Sequence, residues 1–337
     1  MGKIEEVAAG LRKELKDGKY EPGVRFPSEY ELAERFGVNN KTANKAVALL
    51  VAEGLLRRGR RGEGTLVKQT SVFPKMFVGY IGSTEHPYYA EVFYGFQQNA
   101  LNHDCIACAI APPPEKLGSI LRKLKLSGLR GFACSGFGIV DTSPLPVLYL
   151  EDQIGSEKYP DFVACDSFQG GYSMMKEILA HGHRDIVMFA TLASNPKRME
   201  GMFQALAEAG MENPEKRLFV LTEWRNPDYH IMLTLRKALK QFPGFTAAAT
   251  ASDNIAFHLC RNLEKLGIGW QGKIAVTGFG KVQGISDWLP IATVDQHPFT
   301  IGFEAFHALM EMIESGAPQQ KHIETELANT HFIPDVR

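Results

Sequence analysis

Between Met76 and Gly278 the chain alternates short apolar runs with segments of helical periodicity, and no other feature narrows the possible folds so far. Met76–Gly82 precedes Tyr89–Leu101, Ile106–Ala111 precedes Glu115–Leu126, and Phe132–Ser135 precedes Val147–Leu150. Ser167–Leu179 leads into Ile186–Ala190, Pro196–Ala209 into Leu218–Leu221, His230–Gln241 into Ala247–Ala251, and Asn254–Leu266 into Ile274–Gly278. Parallel strands need a crossover connection, usually a helix, so this alternation predicts an α/β unit of parallel sheets covered on both faces. The stretch from 76 to 337 is long for one hydrophobic core, which favours two doubly wound lobes.

Residues 1–68 follow another pattern. Ile4, Val7, Leu11 and Leu15 recur at helical spacing, and Gly18 closes that helix. Pro27-Ser28-Glu29-Tyr30-Glu31 offers a capping box that starts a second helix burying Leu32, Ala33 and Phe36, with Gly37 placed to end it. Asn39 can cap a third helix with Ala46, Val47 and Leu50 inside, and about two residues separate helices two and three, which is the spacing of a helix-turn-helix. Its second helix would present Asn39, Asn40, Lys41, Thr42, Asn44 and Lys45 to the major groove, where asparagine pairs with adenine and lysine reaches guanine or phosphate. Leu55–Arg58 and Thr65–Val67 read as two short strands around a glycine-rich tip, with Arg57, Arg58, Arg60, Arg61 and Gly62 suited to phosphate and minor-groove contact. The charge agrees. Residues 1–70 hold 14 Lys/Arg against 10 Asp/Glu, whereas the remainder holds 23 against 28, so a polyanionic partner is expected for the head alone.

The head resembles the winged helix-turn-helix of the GntR family over roughly residues 3–68. The carrying pieces are PSEYELAERFGV, Thr42 and Ala46 as T-x-x-x-A, LLVAEGLL, and the wing ending GEGTLV. Asn40 and Asn44 stand where that family usually has arginines, and Tyr30 where a phosphate-binding arginine is common, which implies an altered target sequence. By the same resemblance Ser28 and Tyr30 lie at the DNA backbone. Residues 69–75 form a short polar linker ending at Pro74.

Residues 76–337 resemble the effector domain of the LacI/GalR type, which is similar to periplasmic sugar-binding proteins. Six collinear blocks carry the likeness: VGYIG with HPYYAEVFYGFQQNA, VACDSFQGGYSMMKEILAHGHRDIVMFA, SNPKRMEGMFQALAEAG, ATASDNIAFHLCRNLEKLGI, IAVTGFG, and LPIATVDQHPFTIGFEAFHALMEMI. A GntR-type head on such a body is similar to the arabinose-repressor subgroup. The resemblance implies lobes of about 76–163 plus 294–322 and 164–293 plus 323–337, joined by three crossovers, with the effector between them.

It also implies effector-binding residues. His86, Tyr88 and Tyr89 follow the first strand of the body, Ser194, Asn195 and Arg198 open an R-x-x-G helix, and Ser252 and Asp253 begin another helix. Tyr229 aligns with a ligand-stacking aromatic, with Trp224 competing for that place, and Asp166 begins a D-x-x-x-G segment. Duller roles stand beside these: helix-entry packing for the two tyrosines, an interlobe ion pair for Arg198, and a helix cap for Asp253. Where the family usually carries G-F/Y-D-D, this chain has Gly278-Phe279-Gly280-Lys281; a lost carboxylate and a gained cation suggest an effector with negative charge, such as a sugar acid or sugar phosphate.

Other chemistries find little support. With 45% hydrophobic and 22% charged residues the chain is an ordinary globular protein, and no apolar run is long enough for a membrane span. The charged N-terminus lacks the apolar core of a signal peptide, so a cytoplasmic location is expected. Five cysteines are an odd count scattered in apolar segments, and Cys105 and Cys108 should face opposite sides of one strand. His181-Gly182-His183 reads as a turn rather than a metal site, and no phosphate-binding loop or nucleophile elbow occurs. Neither catalysis nor a metal or cofactor is expected. The reading is a homodimeric, effector-responsive transcriptional regulator, a repressor of carbohydrate-utilisation genes that binds operator DNA; the alternative is a small-molecule-binding protein whose head no longer binds DNA.

Overall fold

In a computed structural model of the protein, residues 2–60, 62–68, 74–136, 143–154 and 157–336 are described. Arg61 and most of the expected linker lie outside them. The chain divides into two compact units, 1–75 and 76–337.

The first unit contains α1 (Lys3–Lys16), α2 (Glu29–Phe36), α3 (Asn40–Ala52) and the antiparallel pair β1 (Leu56–Arg58) and β2 (Thr65–Val67). Ser28 caps α2 in the reciprocal box the sequence predicts: its amide donates to Glu31 and its hydroxyl accepts from the Glu31 amide. Gly37 ends α2 at φ 61°, a left-handed conformation that glycine adopts without steric cost. The Asn39 side chain accepts the Thr42 amide and opens α3 only two residues later. Leu11, Leu32, Ala43, Ala46, Val47 and Leu50 then meet in one buried cluster closed by Leu56 and Val67 of the wing.

The second unit runs β3 (Met76–Ile81), α4 (Pro87–Asn102), β4 (Cys105–Ile110), α5 (Leu117–Leu126), β5 (Leu129–Cys134), β6 (Val147–Tyr149), the short pair β7 (Gln153–Ile154) and β8 (Glu157–Lys158), and β9 (Phe162–Cys165). It continues with α6 (Ser167–Ala180), β10 (Ile186–Thr191), α7 (Pro196–Glu208), β11 (Leu218–Leu221), α8 (Pro227–Gln241), β12 (Ala247–Thr250), α9 (Asp253–Lys265) and β13 (Ala275–Thr277). Last come β14 (Thr293–Asp295), α10 (Pro298–Ser315), β15 (Gln320–Ile323) and β16 (Glu326–Ala328). One parallel sheet has the order β15-β9-β6-β5-β3-β4 and the other the order β11-β10-β12-β13.

The chain passes between these sheets three times. It leaves the first after β9, returns between β14 and α10, and departs again between β15 and β16, which pairs with β14. Each lobe is clamped by a helix pair in backbone contact, α4 with α10 and α6 with α7. A Cβ on Gly302 would overlap the Val92 carbonyl, and one on Gly201 the Phe168 carbonyl, so glycine is what permits these approaches.

The two histidines of the HGH turn act structurally. His183 is buried between the Thr246 hydroxyl and the Pro334 carbonyl, and His181 meets Asp335. Cys105 is buried and Cys108 exposed, as strand alternation requires. Among the described residues no helix is long and apolar enough to cross a membrane.

Candidate functional site

In the first unit the expected DNA-facing side chains are not equally free. Asn40, Lys41, Asn44 and Lys45 are exposed on α3, with Thr42 half-buried beside them. Asn39 commits its carbonyl oxygen to the helix cap, and Ser28 commits its hydroxyl to the capping box. Tyr30 projects into solvent, 74% exposed. Arg60 and Gly62 lie on the exposed wing tip, where the Gly59 amide donates to the Gly64 carbonyl and the Arg60 amide to Glu63. One contact was not legible in the sequence. Glu29 Oε1 accepts from Asn44 Nδ2 at 2.9 Å and from Arg58 Nη1 at 2.8 Å, and Arg58 also donates to the Thr65 hydroxyl. A single carboxylate therefore joins α2, α3 and the wing, and it takes up charge that Arg58 would otherwise offer to phosphate.

The second unit holds a cavity of about 580 Å3 at the carboxyl ends of both sheets, where doubly wound folds gather their ligands. His86, Tyr88 and Tyr89 enter it from the start of α4, and Glu151 from the end of β6. Ser194, Asn195 and Arg198 come from the start of α7, and Ser252 and Asn254 from the start of α9. Trp224, Phe279 and Gln296 complete its walls. The expected residues thus converge, with two exceptions. Tyr229 is 56% exposed and does not line the cavity, and Trp224 occupies the aromatic position instead. Asp253 is fully buried behind the wall, where Oδ2 accepts the Val282 amide at 2.6 Å and Oδ1 the Thr293 hydroxyl at 2.5 Å. Its carboxylate fixes the loop after β13; Ser252, not Asp253, caps α9. Asp166 caps α6 and likewise stays out of the cavity.

Lys281, the basis for expecting a charged effector, gives no cation to the cavity: its ammonium lies 2.8 Å from Asp295, and it is not a lining residue. Arg198 behaves otherwise. It is more than nine-tenths buried, one Nη donates to the Ala251 carbonyl, and the other lies 3.4 Å from the Ser167 hydroxyl and 3.5 Å from Gln296 Oε1. Its guanidinium carbon stands 3.4 Å from the centre of the Phe279 ring, Nε has no partner, and burial lowers its pKa. An ion pair for Arg198, the alternative to its role as an effector contact, is absent from the described residues.

Among the described residues, two polar bridges span the cleft. Asn195 Nδ2 donates to Asp152 Oδ1 at 2.6 Å, and His86 Nε2 lies 2.5 Å from the side-chain amide of Asn254. His86 Nδ1 accepts the Tyr88 amide. Burial depresses the His86 pKa, which keeps that ring neutral. Glu151 was also missed by the sequence reading. One oxygen accepts from Ser135 at 2.7 Å, the other is buried without a partner, and burial pushes its pKa up to about 7. A carboxyl with one satisfied and one open oxygen is suited to a ligand hydroxyl.

Comparison with known proteins agrees with this geometry. The family "Bacterial regulatory proteins, gntR family" matches residues 3–67, and "Periplasmic binding proteins and sugar binding domain of LacI family" matches residues 78–334. A curated relative, the HTH-type transcriptional repressor PurR of Pasteurella multocida, is 24% identical over 72% of this chain and 76% of its own length. Among solved structures, the transcription regulator CcpA of Lactococcus lactis superposes with a TM-score of 0.66 at 19% identity, covering 75% of this chain and 97% of that one. A transcriptional regulator CelR–cellobiose complex gives a TM-score of 0.64 at 19% identity, covering 90% and 98%. With a winged reader of DNA before a two-lobed receptor, the chain belongs to the LacI family of periplasmic-binding-type regulators, and its DNA-binding domain is of the GntR type.

Proposed function

We propose that the protein is a homodimeric repressor whose affinity for an operator changes when a small hydroxylated effector, a sugar or sugar derivative, fills the cleft. The cavity carries this reading: hydrogen-bonding groups from both lobes converge at the carboxyl ends of the strands, with Tyr88, Tyr89, Trp224 and Phe279 as aromatic plates for C–H faces. Asn40, Lys41, Thr42, Asn44 and Lys45 would read the major groove, while Arg60 and Arg61 hold phosphate. Two heads related by a dyad would bind half-sites of a near-palindromic operator, and such a protein works in the cytoplasm. The effector acts only through its differential affinity for open and closed lobes, which sets how far it can shift DNA binding.

The test is fluorescence anisotropy of the full chain on DNA from its own promoter region, at two salt concentrations and with a panel of sugars and sugar derivatives. The expected result is sequence-specific, salt-dependent binding that one panel member shifts at least tenfold. Salt-independent or undetectable DNA binding would instead favour a ligand-binding protein with an inactive head.

A further inference from the structure

Resting on the regulator reading, we infer that the effector carries a negative charge, a carboxylate or a phosphate, which seats against Arg198. A buried guanidinium is normally neutralised, because an uncompensated charge in a low-dielectric interior is costly. Among the described residues the groups in direct contact with Arg198 are neutral: the Ala251 carbonyl, the Ser167 hydroxyl, Gln296 Oε1 and the Phe279 ring. Among the described residues no carboxylate lies within ion-pair distance of it, and its Nε is buried with no acceptor. Asp253 attracts it from behind the wall, but both of that residue's oxygens are committed to Val282 and Thr293.

The surroundings add to the same bias. Cavity-lining residues lie at the N-termini of four helices: Tyr88 and Tyr89 on α4, Ser167 on α6, Asn195 and Arg198 on α7, and Ser252 and Asn254 on α9. Helix N-termini carry partial positive charge, and several directed at one space favour an anion there. The opposing carboxyls are weak opponents. Glu223 sits at the rim, half-exposed and 3.4 Å from His230, and burial raises the Glu151 pKa to about 7, so its charge is only partial at neutral pH. With its open oxygen, Glu151 suits a ligand hydroxyl, so the fitting ligand is a hydroxylated acid or phosphate ester with an apolar ring face against the aromatic plates.

The test is isothermal titration of the full chain at pH 7 and constant ionic strength with glucose and galactose, their uronates and their 6-phosphates. At least one anion should bind at least tenfold more tightly than its neutral parent, and the uronate and phosphate arms identify which charge is recognised. Arg198→Gln should erase that preference. Arg198→Lys, which retains the charge without the planar fork, should keep it at reduced affinity and guards against a folding defect in the first variant. Equal or tighter binding of the neutral sugars, a panel in which no anion binds, or an anion preference that survives Arg198→Gln would overturn the inference. A neutral sugar that binds and shifts operator affinity would leave the regulator reading intact, whereas loss of operator binding itself would remove that reading.

Discussion

Glu151 shows how much one carboxyl in the cleft can report. Its burial holds the proton until about pH 7, whereas an unfolded chain releases it near pH ~4.3, so the folded state binds more protons between those values. Stability therefore falls as pH rises through that window and stays lowered above it. The Ser135 hydrogen bond stabilises the charged form without outweighing desolvation, and the charge of Asp152 acts in the same direction as desolvation. Glu151→Gln, which still accepts from Ser135, should melt close to the wild type at pH 5 and several degrees higher at pH 8 by calorimetry. A parallel pH profile for the two proteins would exclude this origin. Residues of this kind are poorly legible in a sequence. Arg198, Tyr88 and Tyr89 fall in motifs that also set backbone geometry, but Glu151 stands in an undistinguished LEDQ, and its role follows only from the sheet that carries it inward. Asp253 errs the other way: its position implied a ligand contact, while long-range contacts with Val282 and Thr293 claim both its oxygens.

At the scale of elements, local signals were reliable where a cap or a period marked them. Ser28, Gly37 and Asn39 gave the boundaries of α2 and α3 because each acts within four residues of itself. The start of α4 was placed two residues late: Pro87 takes the first helical position, with the His86 ring as its cap. The strand β15 was missed because Gln320, Lys321 and His322 are exposed on an edge, so hydrophobic alternation never develops; only pairing with β9 makes it a strand. The Glu29 bridge is likewise a product of packing, and it yields opposite expectations for two variants. Arg60→Ala should weaken binding to all DNA sequences and lower the slope of log affinity against log salt by about 0.9. Glu29→Ala, which frees Arg58 and Asn44, should raise non-specific affinity and steepen that slope. Unchanged slopes in both would dissociate the wing from phosphate contact.

For the whole molecule, the balance between lobe arrangements is the quantity that the proposed effector would move. Asn195 to Asp152 and His86 to Asn254 hold the cleft together through two polar contacts. Replacing Asn195 and Asn254 together by alanine should populate more open forms, raise hydrogen–deuterium exchange at the starts of α4 and α9, and weaken effector binding several-fold by reducing the competent fraction. Protection equal to the wild type would show that the strands between the lobes, rather than these contacts, set the closure.

The three passages of the backbone between the sheets also order events during synthesis. Residues 3–67 can collapse on their own as soon as they emerge, because every member of their core lies within that stretch. Neither half of the receptor has that freedom: β9 awaits β15 at its flank, α4 awaits α10, and β14 awaits β16. A ribosome-bound nascent chain would therefore display a finished reader of DNA while its receptor still lacked an edge, and residues 298–328 are what complete the receptor and, on the proposed reading, convert that early, unregulated form into a responsive one.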